Sequence, residues 1–152
     1  MPQQPDVHLG GLYGDLVMDH YRQPRNRAEI DDADIEAEEF NPFCGDRAIL
    51  QLKLDSQGKV CLVSARSEGC SIIQAATSML SGLLTGKSLA EVEELGEMFR
   101  AAMKNGAGED GSELGDLLAL QVVRRYPVRI KCALLPLTVL EEGIKAYRAK
   151  TR

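Results

Sequence analysis

The sequence predicts an α+β fold in which a small antiparallel sheet of about three strands packs with about five helices. Apolar and polar residues alternate along 47–55. A turn that contains Gly58 follows, and a second apolar stretch then spans 60–66. Helical spacing of apolar residues precedes these stretches and returns in the second half of the chain. Strands and helices that are segregated along the chain are typical of α+β folds rather than of a wound parallel sheet.

Composition limits the classes of function that this fold could serve. The 152-residue chain is long enough to bury a sizeable core, and its 44% hydrophobic and 27% charged content is ordinary for a globular protein. A net charge of −5 argues against a nucleic-acid partner, which would require a basic face. No apolar run is long enough to span a bilayer, so we expect no membrane partner. The first residues lack the pattern of a secretory signal, and we expect a cytoplasmic protein.

The first helix is predicted from LGGLYGDLVMDHYRQPRN, where apolar residues recur every three or four positions from Leu9 to Tyr21. Pro24 should end it, because the residue before a proline avoids helical angles. His20 lies on the apolar stripe, so we expect a partly buried, hydrogen-bonded histidine rather than a metal ligand. His8 lies in the stretch 1–8, which we expect to be flexible.

The sheet is predicted from three consecutive stretches. The acidic connection AEIDDADIEAEEF should lie at the surface and end in a short strand before Asn41. RAILQLKLD then places leucines on one face of a strand, and a glycine turn joins it to VCLVSAR, which together indicate a β-hairpin. The second hairpin strand is apolar on both faces, which leaves its inward side open. We expect Cys61, in the middle of that strand, to be a packing residue.

Four further helices are predicted after the hairpin. One runs from Cys70 to a stop at Gly86. The next opens with the capping box SLAE, in which Ser88 is the N-cap. After a loop, KNGAGEDGS, that we expect to be flexible, ELGDLLALQVVRRYP indicates a third helix with a break in it. The last helix should run from about Ile130 to Lys150.

The cysteines of the chain are Cys44, Cys61, Cys70 and Cys132. Disulfide frameworks belong to small secreted chains with poor cores, so we expect reduced thiols here. Cys70 and Cys132 are placed at or near the starts of predicted helices, where the N-terminal end of the helix dipole favours a thiolate. Cys44 lies in the turn NPFCGD. Thiolates are the form that binds metal or attacks sulfur, so these three positions indicate chemistry as well as packing.

Asp46 makes a shared metal site conceivable, because Gly45 allows Cys44 and Asp46 to turn toward one point. Three thiolates and one carboxylate would complete a tetrahedral zinc site with a net charge of −2. Cations close in sequence that could offset this charge are Arg47, Arg129 and Lys131. The spacing of the ligands matches no zinc signature of the CxxC type, so the residues alone leave the metal site and core packing both open.

A resemblance narrows these alternatives. The motifs LYGDLVMDHYRQPRN, NPFCGD, EGCSIIQAATSML and RIKCALL occur in an order that closely resembles the SufU proteins, relatives of the IscU and NifU N-terminal iron–sulfur scaffolds. The similarity implies one SufU/IscU-like domain over 1–152, with a SufU-type insertion at 87–111. IscU-type scaffolds carry a histidine before the last cysteine, whereas this chain has Lys131, with Arg129 placed as in SufU.

The resemblance to SufU also implies a function. The chain would be a zinc-dependent sulfurtransferase that accepts persulfide sulfur from a SufS-type cysteine desulfurase and passes it to a downstream iron–sulfur scaffold or another recipient. By motif position the zinc ligands would be Cys44, Asp46, Cys70 and Cys132, with Cys44 as sulfur acceptor and Arg129 as electrostatic support. The alternatives are a scaffold that builds a [2Fe–2S] cluster on the same ligands, and a non-enzymatic protein with a structural zinc.

Overall fold

The computed structural model describes residues 11–41, 45–106 and 108–151, and its elements confirm the predicted α+β fold. Within the described residues a three-stranded antiparallel sheet packs with five helical elements. In chain order the elements are α1 (Gly11–Arg22), β1 (Ile35–Asn41), β2 (Asp46–Leu54), β3 (Val60–Glu68), α2 (Ser71–Ser81), α3 (Leu89–Asn105), a 3-10 segment (Gly108–Val123) and α4 (Pro127–Lys150).

The sheet has the order β1-β2-β3, and its inner face is the one predicted for β2. Ala48, Leu50 and Leu52 are buried there, as their alternation in the sequence requires. The inward side of β3, which its sequence left open, includes Val60 and Ala65. The strand pairing places Asp46 opposite Asn41 at one end of the sheet.

The expectation that Cys61 is a packing residue is wrong. The β2–β3 register changes between Lys53 and Leu54, which pair with Leu62 and Val60 respectively. Cys61 is therefore the extra residue of a β-bulge and has no partner in the ladder. Its side chain is exposed to solvent.

Helices α2 and α4 cover the inner face of the sheet. Helix α4 approaches β1 closely at Gly143, where an added Cβ would lie 3.0 Å from the side chains of Ile35 and Ala37. Helix α2 is buried along almost its whole length, with Gln74 as the exception. The expected burial of His20 on α1 is confirmed, whereas Leu9 and His8 lie outside the described residues.

Two predicted helix boundaries are wrong. Helix α2 ends at Ser81 rather than near Gly86, because the chain turns at Gly82 and returns to the sheet, where the Gly86 N–H donates to the Val60 carbonyl. Helix α4 begins at Pro127 rather than near Ile130, with proline at a position where its missing N–H is not needed.

The connection between α3 and α4 also differs from its prediction. Helix α3 extends to Asn105, and 3-10 structure begins at Gly108, so the expected flexible loop is shorter than KNGAGEDGS. The predicted third helix is 3-10 rather than α-helical, and the expected break lies at Gly115. None of the helices among the described residues combines the length and apolar character that crossing a bilayer requires.

Candidate metal centre

Asp46, Cys70 and Cys132 converge on one point, although they come from three separate elements. A ligand atom of each lies within 4.8 Å of the ligand atoms of the other two. Asp46 opens β2, Cys70 is the N-cap of α2 and Cys132 lies in the second turn of α4. Asp46 and Cys132 are buried, and Cys70 is partly exposed. The cluster thus has one side open to solvent.

Gly69 allows the Asp46 carboxylate to lie against the start of α2. A Cβ added at residue 69 would lie 2.1 Å from Asp46 Oδ1, so any other residue would displace the carboxylate. The φ of Gly69 is +133°, a value that L side chains rarely adopt. The Cys70 N–H donates to the same Oδ1 at 3.4 Å. The sequence reasoning missed Gly69, whose signal is a glycine directly before a cysteine that begins a helix.

The sulfur of Cys70 is held in conditions that favour a thiolate. A hydrogen bond from the Cys132 side chain is the largest cause that lowers the pKa of Cys70, to about 6, against desolvation. Backbone hydrogen bonds from the N–H groups of Ile73 and Ile72, in the first turn of α2, also lower the pKa of Cys70. The Cys70 side chain does not make the regular capping hydrogen bond of a helix start. The negative charge of Asp46 opposes them.

Cys132 behaves in the opposite way. Its hydrogen bond to Cys70, its burial and the charge of Asp46 raise its pKa. The Cys132 sulfur also lies 3.7 Å from the Val128 carbonyl oxygen, one turn earlier in α4, which is an alternative acceptor for its single hydrogen. The two sulfurs therefore favour opposite forms, the thiolate at Cys70 and the thiol at Cys132. Cys132 lies near the start of its helix, as the sequence predicts, but in the second turn rather than among the first N–H groups.

Cys44, the predicted fourth ligand, lies outside the described residues. The ends of the segment that contains it are described, and the Gly45 N–H donates to the Asn41 carbonyl at 2.8 Å. Gly45 has φ +73°, as the sharp turn before Asp46 requires.

The cations expected to offset the charge of the centre are arranged differently from the prediction. Arg47 points to the other face of the sheet, where it pairs with Glu38 and Glu68, so it does not compensate the centre. Lys131 is exposed. Arg129 is half-buried in the first turn of α4, three residues before Cys132, a spacing that places two residues on neighbouring parts of a helix surface. Its supporting role stays a prediction.

The donor set fits a zinc ion. Tetrahedral zinc with bonds of about 2.3 Å to sulfur holds its ligands about 3.8 Å apart, which the spacing of these three atoms allows. Sulfur and carboxylate oxygen are both ordinary zinc ligands. The described part of the chain contains no other group of three His, Cys, Asp or Glu ligand atoms this close together.

Comparisons with known proteins point in the same direction. The family model of the NifU-like N terminal domain matches residues 12–152. The zinc-dependent sulfurtransferase SufU of Bacillus subtilis is 38% identical over 91% of this chain and 93% of its own length. The iron–sulfur cluster assembly scaffold protein IscU of Streptococcus pyogenes is 33% identical over 90% of this chain and 85% of its own.

A solved structure has the same fold. It is a candidate iron–sulfur cluster assembly scaffold protein for the SUF system from Fervidobacterium islandicum, 30% identical to this chain with a TM-score of 0.77. The match covers 85% of this chain and 93% of that one. Sequence and fold thus agree over nearly the whole length of the chain.

Proposed function

This chain belongs to the family of NifU-like N-terminal domains, and on that basis we propose that it is a zinc-dependent sulfurtransferase for iron–sulfur cluster assembly. It would accept persulfide sulfur from a SufS-type cysteine desulfurase and deliver it to a downstream scaffold or another recipient. The convergence of Asp46, Cys70 and Cys132 is the observation that supports this proposal most directly.

The proposed ligands are Cys44, Asp46, Cys70 and Cys132. Zinc, when bound, keeps its cysteine ligands deprotonated and lowers their reactivity until a partner arrives. The chain itself contributes the geometry: β2 and the start of α2 fix the Asp46 carboxylate and the Cys70 sulfur against each other, and α4 brings Cys132.

Cys44 is the proposed acceptor, because the resemblance to SufU assigns that role to the motif cysteine that comes just before β2 in the sequence. Its thiolate would attack the terminal sulfur of the desulfurase persulfide. A new S–S bond forms on Cys44, the S–S bond of the donor breaks, and the donor cysteine leaves as a thiolate. The transfer needs no external oxidant or reductant, since a persulfide is exchanged for a persulfide.

A scaffold that assembles a [2Fe–2S] cluster on the same four residues is the second candidate. The similarity to proteins named as IscU scaffolds favours it. Lys131 disfavours it, because a protonated lysine cannot act as a ligand or proton acceptor where IscU-type scaffolds carry a histidine.

Metal analysis of the protein purified without added metal separates these candidates. We expect about one tightly bound zinc per chain and no visible absorbance. A coloured species with sulfide-to-iron absorption and little zinc would instead support the scaffold.

The acceptor role is tested with a SufS-type desulfurase and cysteine, by measuring alanine formation. We expect the wild-type chain to increase desulfurase turnover and Cys44→Ala to lose that stimulation. Cys61→Ser is the matched control, because it removes an exposed thiol outside the centre. Full stimulation by Cys44→Ala would show that another residue accepts the sulfur.

A further inference from the structure

A short segment that spans the end of α1 and the residues after it is joined to α2 by polar contacts that are buried or partly buried. We call this segment, Asp19–Asn26, the α1–α2 clamp; it corresponds to the motif DHYRQPRN, which the proposed sulfur transfer does not use. Within it, the Arg25 guanidinium donates to the Asp19 carboxylate at 2.6 Å. This ion pair connects the last turn of α1 to the residues that follow the helix.

Ser78 of α2 receives two contacts from the clamp. The Arg25 N–H donates to Ser78 Oγ at 2.9 Å, and His20 Nδ1 lies 2.7 Å from the same oxygen. A hydroxyl that accepts from an N–H still has its own hydrogen to donate, here to His20 Nδ1. The other ring nitrogen of His20 then donates to Asp116 of the 3-10 segment at 2.8 Å.

Asn26 makes the second connection. Its side-chain amide donates to Ser81 Oγ at 2.9 Å, one turn after Ser78. Its carbonyl accepts the Ala65 N–H of β3 at 2.7 Å. Asn26 has φ +59°, a conformation that asparagine tolerates better than most residues. One residue thereby connects α2 to the sheet.

Helix α2 places polar as well as apolar side chains in the interior. It is buried along almost its whole length, and Ser78 and Ser81 lie among the apolar residues that pack it into the core. Burial of apolar surface is non-directional, whereas a buried hydroxyl needs a partner at a defined position. Hydrogen bonds are directional, so those to Ser78 and Ser81 fix the helix along and about its axis.

We propose that the α1–α2 clamp is a positioning device for the metal centre. By fixing α2 it sets the Cys70 sulfur, at the N-terminal end of the same rigid helix, against Asp46 and Cys132. The inference rests on the proposed function, because it assigns the clamp residues a role in metal binding. His20, Asn26 and Ser78 act through Cys70 and do not touch the metal.

The test compares two hydroxyl deletions in α2. Ser78→Ala removes the hydroxyl that accepts from the Arg25 N–H and donates to His20 Nδ1, whereas Thr77→Ala removes an equally buried hydroxyl that donates to the Ile73 carbonyl within α2. Zinc affinity is measured by competition with a chromophoric chelator, at a temperature where both variants are fully folded. We expect Ser78→Ala to bind zinc about 10-fold or more weakly and Thr77→Ala to bind as the wild type does.

A second variant and a second measurement distinguish the positioning role of the clamp from a general loss of stability. Asn26→Gly removes the contact to Ser81 but retains access to positive φ, and we expect it to weaken zinc binding in the same direction. In the metal-free protein, hydrogen exchange of the amides of residues 70–74 should be faster in Ser78→Ala than in Thr77→Ala.

Equal zinc affinity and equal exchange in Ser78→Ala and Thr77→Ala would overturn the positioning role. If the wild-type chain itself binds no zinc, the proposed function fails on its own. The exchange comparison then tests by itself whether the clamp positions α2. Faster exchange of residues 70–74 in Ser78→Ala than in Thr77→Ala supports that role, and equal exchange rates refute it.

Discussion

Gly69 and Asp46 show how a single residue controls the geometry of the candidate centre. The absence of a side chain at position 69 leaves room for the carboxylate next to the N-cap of α2. That carboxylate accepts the Cys70 N–H, which also aligns the first turn of the helix. A buried carboxylate normally needs partners of this kind, because an unpaired charge is costly to bury.

We expect Gly69→Ala to weaken zinc binding and to destabilise the fold. The backbone strain of a non-glycine residue at this φ costs about 1–3 kcal/mol, and the displaced carboxylate adds to it. Chemical denaturation and zinc titration measure the two effects. Gly58→Ala is the matched control, since Gly58 also has positive φ but no atom within 4 Å of an added Cβ. Zinc affinity that falls equally in both variants would contradict the role of the carboxylate.

Cys70 gives a prediction about pH. In a metal-free protein that keeps only Cys70 and Cys132, alkylation of Cys70 should rise through pH about 6, the value to which its pKa is lowered. Cys132→Ala removes the largest cause of that shift, so the midpoint should move up toward the ordinary thiol pKa of 9.0. An unchanged midpoint would mean that the helix N-terminus alone lowers the pKa.

The same shift has a consequence for stability. Because folding lowers the pKa of Cys70, its thiolate contributes stability that is complete above the unfolded pKa of 9.0 and is lost as the pH falls through about 6. We expect the metal-free wild type to lose more stability between pH 9 and pH 6 than Cys70→Ser does. Denaturant unfolding at several pH values checks this difference.

At the scale of elements, each helix beside the centre begins in a different way. Helix α2 starts at Cys70, which has no regular side-chain cap, and its open N–H groups favour the thiolate instead. Helix α4 starts with Pro127, and Pro136 lies inside it. Proline has no N–H, so the Cys132 carbonyl lacks the usual donor four residues later. The two helices that supply sulfur are thus irregular close to their ligands.

Helix α3 has the regular start that the sequence predicts. The Glu91 N–H donates to Ser88 Oγ at 3.2 Å, and the Ser88 N–H donates to the Glu91 carboxylate at 2.9 Å. We expect Ser88→Ala to destabilise the protein by about 1 kcal/mol, and Ser88→Asp, which keeps a capping oxygen, to cost much less. Denaturant unfolding measures both. Zinc affinity should stay unchanged in both variants, because α3 supplies no proposed ligand; a decrease would connect α3 to the centre.

At the scale of the whole molecule, the centre joins elements that are distant in sequence. Helices α2 and α4 both pack on the inner face of the sheet, and the strand that supplies Asp46 lies in its middle. A metal that binds only the folded arrangement must stabilise that arrangement by mass action.

We therefore expect zinc to raise the melting temperature of the metal-free protein. The free energy of unfolding should rise by about 2.7 kcal/mol at a free zinc concentration 100 times the Kd. Cys70→Ser should lose most of the effect, while Cys61→Ser should keep it because Cys61 is exposed on the bulge of β3. A loss of the zinc effect in Cys61→Ser would show that the ligands are misassigned.

The sequence by itself determined the local features of this protein. Alternation along β2, the capping box at Ser88 and the burial of His20 depend on residues close together in the chain, and the structure confirms each of them. Cysteines near element ends indicated a candidate centre for the same reason, and the family resemblance added the proposed acceptor Cys44, which lies outside the described residues.

Only the tertiary structure decided the features that depend on distant residues. The exposure of Cys61 follows from a bulge in its pairing with β2, and the end of α2 follows from the return of the chain to Val60. The start of α4 at Pro127 places Cys132 one turn further into the helix than its sequence suggested. The approach of Asp46 to Gly69 likewise arises where strand and helix meet. Packing between elements sets these positions, and local periodicity carries no information about it.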